Sequence, residues 1–145
     1  NLKLTDIQSV IGTLNPLPGA KKFLDSLRAR TQVLILSDTF LQFANPLMRQ
    51  LDWPTLFCNH LDIKDGRIVG YQLRQVDQKR QSVLALKNLN YTIISAGDSY
   101  NDTTMLAEAD YGFLFRAPEN VKEEFSGFPA FDEYADLSAE IEKLL

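Results

Sequence analysis

Cysteine and histidine are nearly absent: Cys58 and His60 are the only ones in 145 residues. One thiol excludes a disulfide framework and any zinc or iron–sulfur site built from several thiolates. A Ser-His-Asp triad would have to use His60, which lies far in sequence from the acidic and hydroxyl clusters described below. A basic excess is also missing. Fifteen Lys and Arg stand against nineteen Asp and Glu, a net charge of −4, which argues against a nucleic-acid partner held by bulk charge. No apolar run approaches the ~20 residues that span a bilayer, and no signal-peptide pattern opens the sequence, so no membrane partner is expected. With 45% apolar and 23% charged residues the composition is that of a globular protein. The expected setting is the cytoplasm, and the length suits a domain that buries a core.

The periodicity then changes along the chain. Leu4, Ile7, Ile11 and Leu14 recur at helical spacing, and Asn15-Pro16-Leu17-Pro18-Gly19 stops the pattern. Ala20, Phe23, Leu24 and Leu27 form the stripe of a second helix. Val33-Leu34-Ile35-Leu36 reads as a strand buried on both faces, and the following Ser37-Asp38-Thr39 as helix-start residues. Phe40 to Leu51 reads as a helix that Pro46 must kink or open, with Trp53-Pro54 packing after it. Leu56, Phe57, Cys58 and Leu61 suggest a strand, Asp65-Gly66 a tight turn, and the alternation from Arg67 to Leu73 the second arm of a hairpin. A helix from Lys79 to Leu89, a strand at 91–96, a helix through Met105 and Leu106, a strand at 111–115, a short helix opened by Pro118 and a last helix over 133–145 complete the chain. Helices alternating with strands predict an α/β protein with a doubly wound parallel sheet, carrying one β-hairpin.

Ligands of such sheets bind beyond the carboxyl ends of the strands. Two polar clusters stand there: Ser37-Asp38-Thr39, and Gly97-Asp98 followed by Asn101-Asp102. Asp98 and Asp102 flank a helix start, so one sits at the strand tip and the other a turn on. Asp98 suits a hard cation such as Mg²⁺, which takes one or two carboxylates and fills its shell with water and phosphate oxygens. Gly97 is expected to let the chain turn sharply. Asn101 can donate to an anion without repelling it. Ser37 offers a hydroxyl beside free amides, the parts needed to hold a phosphoryl oxygen, or else it caps a helix. Lys79, at a helix start where a cation opposes the helix dipole, could neutralise a phosphate while Asp102 holds it by a salt bridge. Arg80 competes for that role. Cys58 reads as a small core residue, and Arg74 as a surface ion pair or a contact for a substrate carboxylate.

The order of these segments resembles the second, third and fourth motifs of the haloacid dehalogenase-like phosphohydrolase superfamily. Leu34-Ile35-Leu36-Ser37-Asp38-Thr39 and the Gly97-Asp98-x-x-Asn101-Asp102 form look most like phosphoserine phosphatases. The runs Pro46 to Leu51, Tyr71 to Gln75 and Gly97 to Leu106 are similar to the bifunctional phosphoserine phosphatase/homoserine phosphotransferase subgroup. The resemblance implies a Mg²⁺-dependent enzyme acting on a small phosphorylated substrate of the phosphoserine kind through an aspartyl-phosphate. It implies that Ser37, Asp38, Thr39 and Asn101 contact substrate or phosphate and that Asp98 binds the metal. Lys79 would neutralise the phosphate, and Asp102 would orient Lys79 or the metal's waters.

One motif of that family has no counterpart. Its D-x-D or D-x-E pair, the nucleophile and general acid, follows the first strand. The acidic pairs two apart here, Glu108/Asp110 and Glu140/Glu142, precede a strand or lie in the terminal helix. The chain, which opens on Asn1, is therefore expected to lack its N-terminal motif. Residues 1–16 would be the remnant of a helical cap, and 17–145 a core without its first strand. Such a core would expose open edges and self-associate as a homo-oligomer. Two rival readings remain: a catalytically inactive remnant, and a receiver-like α/β binding domain. The second is disfavoured because Lys79 precedes the Gly97-Asp98 cluster.

Overall fold

The computed structural model describes residues 3–145. The chain forms two compact units, one through Val76 and the other from Asp77 to Leu145.

In the first unit, α1 (Leu4–Ile11) and α2 (Ala20–Arg28) precede β1 (Leu34–Phe40), α3 (Leu41–Gln50), β2 (Thr55–Lys64) and β3 (Arg67–Gln72). The sheet order is β1-β2-β3. β1 and β2 pair in parallel across the α3 crossover, and β2 and β3 pair antiparallel around Asp65-Gly66. Both turn residues have positive φ, 51° and 73°, which suits this Asp-Gly pair. Leu24, Ala44, Met48 and Leu51 form the core, packed on Val33, Ile35, Leu47 and Leu56.

The proline of α3 is accommodated by a contact from outside the helix. Pro46 lies inside α3 and has no N–H to give to the carbonyl of Gln42, one turn back. Gln8 of α1 donates its side-chain amide to that carbonyl at 2.8 Å. The side chain of Gln42 in turn bonds both backbone groups of Leu61 on β2, each at 2.9 Å.

Several expectations change here. Ser37, Asp38 and Thr39 do not start a helix. The strand runs through them to Phe40, which precedes α3 without a side-chain cap. β1 is half-buried rather than buried on both faces, because it is an edge of its sheet. The first helix ends at Ile11, leaving Leu14 exposed, and Trp53 is 59% exposed rather than packed.

In the second unit, α4 (Gln78–Asn88), β4 (Ile94–Gly97), a 3-10 turn (Tyr100–Asp102), α5 (Thr103–Glu108) and β5 (Tyr111–Phe115) are followed by α6 (Glu119–Glu124), β6 (Ala130–Phe131) and α7 (Tyr134–Glu142). The order is β4-β5-β6, parallel throughout. Val83, Leu106, Leu114 and Leu137 are almost fully buried. β4 begins three residues later than the apolar pattern predicts. Ile93 is held instead by Asp110, whose carboxylate accepts its N–H at 2.7 Å. β6 has only two residues, too few to show a period. Among the described residues no helix is long and apolar enough to cross a membrane. Both units carry the parallel β-α-β connections of an α/β fold.

Candidate active site

Each candidate cluster lies within one unit. In the first, the ladder between β1 and β2 is regular from Leu34 to Leu36 and resumes only at Phe40, opposite Asn59. Ser37, Asp38 and Thr39 thus bulge against the single residue Cys58, itself buried. The Thr39 N–H donates to Ser37 Oγ at 3.2 Å, closing a short hydroxyl turn. The carbonyl of Asp38 accepts from Asn59 Nδ2 at 3.0 Å, and Asn59 Oδ1 accepts the Arg74 N–H at 3.0 Å. Asn59 is only 4% exposed. Sequence reasoning missed it, although an asparagine inside an apolar strand is an unfavourable choice that calls for a reason. The guanidinium of Arg74 lies 4.8 Å from the centroid of the Phe57 ring. His60 is exposed on β2 opposite Gln72. Burial pushes the thiol of Cys58 up, which keeps it an inert core residue.

In the second unit four candidates gather around the tip of β4. Lys79, in the first turn of α4, places Nζ 2.7 Å from Asp102 Oδ1, and both side chains are largely buried. The other Asp102 oxygen accepts from the Asp98 N–H at 3.0 Å, the Ser99 N–H at 3.2 Å and the Ser99 hydroxyl at 3.1 Å. Burial acts to raise the Asp102 carboxyl. The Lys79 hydrogen bond and charge, with the Asp98 and Ser99 amides, outweigh it and hold the group below the usual carboxylate value. Arg80 does not compete, because its guanidinium pairs with Glu108 at 2.9 Å. Asp98 and Asn101 are exposed on the loop. Tyr100 ties that loop to α6, donating its phenol to Glu124 at 2.6 Å and packing edge-on against Phe125.

Gly97 is required here for space rather than for a turn. Its φ is not in the left-handed region, yet a Cβ placed on it would lie 2.5 Å from the Cβ of Asp102 and 2.7 Å from its Oδ2. Asp102 reaches its partners only by packing directly on the bare α-carbon.

With both its oxygens engaged, Asp102 is a poor metal ligand. Among the described residues no three His, Cys, Asp or Glu side chains gather into a metal cage. Among the described residues of the loop at the β4 tip, Asp98 presents an exposed carboxylate. A single protein carboxylate, completed by water and substrate oxygens, is a donor set that suits Mg²⁺ and not a cation demanding a full protein shell.

Residues 3–110 match the family described as haloacid dehalogenase-like hydrolase. The chain is 64% identical over 143 residues to phosphoserine phosphatase ThrH of Pseudomonas aeruginosa, covering 98% of itself and 70% of that protein. It is 62% identical to a phosphoserine phosphatase of Pseudomonas syringae pv. tomato, of which it spans 60%. The fold is similar to a solved phosphoserine phosphatase from T. onnurineus at a TM-score of 0.74, with 22% identity over 97% of this chain and 66% of that one. The chain belongs to the haloacid dehalogenase-like hydrolase family, in its phosphoserine phosphatase branch.

Proposed function

We propose that this chain supplies the phosphate-handling part of a Mg²⁺-dependent phosphomonoesterase acting on phosphoserine or a close analogue. The observation that carries the reading is the Lys79–Asp102 pair, 2.7 Å long and largely buried at the foot of the Asp98 loop. A lysine held by a carboxylate that is itself fixed by two backbone amides is a pre-positioned cation, suited to neutralising a phosphoryl oxygen without reorganising first.

The other roles are those the family resemblance implies: Ser37, Asp38, Thr39 and Asn101 contact substrate or phosphate, with the Ser37 hydroxyl and the Asn101 amide as donors. Asp98 is the residue that would hold Mg²⁺, which when bound supplies charge neutralisation at the phosphate. No D-x-D or D-x-E pair follows a strand among the described residues, so we assign the attacking carboxylate to a segment outside them, and residues 1–16 to the remnant of a cap. The carboxylate attacks phosphorus, the P–O ester bond breaks, and the serine oxygen leaves with the proton of the general acid, the second carboxyl of the same D-x-D or D-x-E pair. Water then cleaves the acyl-phosphate, or an alcohol such as homoserine takes the phosphoryl group. By itself the 145-residue chain is expected to turn over nothing, and to self-associate through its open strand edges. The setting is cytoplasmic.

The test is phosphate release from phosphoserine by the product of the gene read from a start upstream of Asn1. Activity there, lost in Lys79→Ala and Asp98→Asn and missing from the 145-residue chain, is the expected result. Full activity in Lys79→Ala, or turnover by the 145-residue chain alone, would overturn the reading.

A further inference from the structure

We infer that Asn59 is a positioning residue that shapes the Ser37–Thr39 bulge into a phosphate cradle. The inference rests on the reading of Ser37 as a phosphate contact. The β1–β2 register lapses at three residues of β1, Ser37, Asp38 and Thr39. Within that bulge the Asp38 carbonyl accepts from the Asn59 amide at 3.0 Å, which holds it toward β2. Beside that contact the Thr39 N–H donates to the Ser37 hydroxyl oxygen at 3.2 Å. The same amide fixes where the chain goes after β3, since its oxygen takes the Arg74 N–H at 3.0 Å. Both ends of a side chain only 4% exposed are therefore in use. No apolar residue of this size makes both bonds, and aspartate makes only the one to Arg74, setting its second oxygen against the Asp38 carbonyl. Asn59 is assigned no contact with substrate or metal. It acts through Ser37.

The experiment uses the longer gene product, with inorganic phosphate as an inhibitory probe alongside turnover of phosphoserine. Asn59→Leu and Asn59→Asp are compared with Ser37→Ala and with the double variant Ser37→Ala/Asn59→Asp. The expected result is a rise of about tenfold in the inhibition constant for phosphate in each single variant, the worth of one hydrogen bond to a charged group. The double variant is expected to be no worse than Ser37→Ala, because the two act through one contact. Asn59→Asp keeps the Arg74 bond and serves if Asn59→Leu does not fold. An unchanged phosphate constant with merely reduced turnover would show a smaller folded fraction and overturn the inference, as would full additivity in the double variant. A normal phosphate constant in Ser37→Ala would instead remove the reading of Ser37 on which the inference stands.

Discussion

Gly97→Ala replaces one hydrogen by a methyl group, yet it is expected to be among the most damaging small changes in the second unit. The new Cβ would sit 2.5, 2.6 and 2.7 Å from the Cβ, Cγ and Oδ2 of Asp102, about 1 Å inside ordinary contact. Asp102 is 6% exposed and cannot swing away freely. Moving it strains or breaks the 2.7 Å bond to Lys79 and the three bonds from Asp98 and Ser99. Overpacking alone costs about 1–3 kcal/mol, and breaking a buried ion pair about 3–5 kcal/mol. These overlap, since one displacement does both, so a total of about 3 kcal/mol is expected. Urea unfolding followed by circular dichroism measures it. With a slope of about 1–3 kcal/mol per molar, the midpoint should fall by roughly 1–3 M. Gly127→Ala is the control: nothing lies within 4 Å of its added Cβ and its φ is unrestricted, so its midpoint should not move. Equal midpoints for the two alanine variants would refute the argument that Asp102 needs a bare α-carbon beneath it.

The same carboxylate sets an acid limit. Its folded pKa lies below the ordinary 3.8, so its contribution is present above that value and drains away as pH falls through the folded one. The melting temperature should therefore drop below about pH 4, and Asp102→Asn should flatten that part of the profile. Gln8→Leu leaves the Gln42 carbonyl without its donor and should cost about 1 kcal/mol. In a Pro46→Ala background, where the helix supplies its own N–H, the Gln8 change should cost less, and equal costs in both backgrounds would contradict the proposed repair. Asp98→Asn should abolish the weak heat of Mg²⁺ binding in titration calorimetry of the 145-residue chain, and an undiminished signal would move the metal elsewhere.

The elements were legible because their signals are local. The stripe of α2, the Asp65-Gly66 turn and the apolar run of β5 each declare themselves within a few residues, and the order of Ser37, Lys79 and Gly97-Asp98 carried the family resemblance. Residues whose roles depend on distant partners were misread or overlooked. Gly97 looked like a turn glycine and proved to be a packing glycine, because the atoms it must avoid belong to a side chain five residues later. Ser37 reads in the sequence as a phosphate contact or a helix cap, and nothing local to it reveals a strand pairing that lapses opposite Cys58. The motif order points to Lys79 held by Asp102, with Arg80 as its competitor, and the pairs Lys79–Asp102 and Arg80–Glu108 separate the two. By itself the sequence determined which chemical groups are present and on which element each rides, since backbone periodicity and turn chemistry act over a turn or a strand. The tertiary structure decided which groups are aimed, shielded or held. Hydrogen bonds and ion pairs depend on distances of about 3 Å between residues that, as with Lys79 and Asp102, only folding brings together.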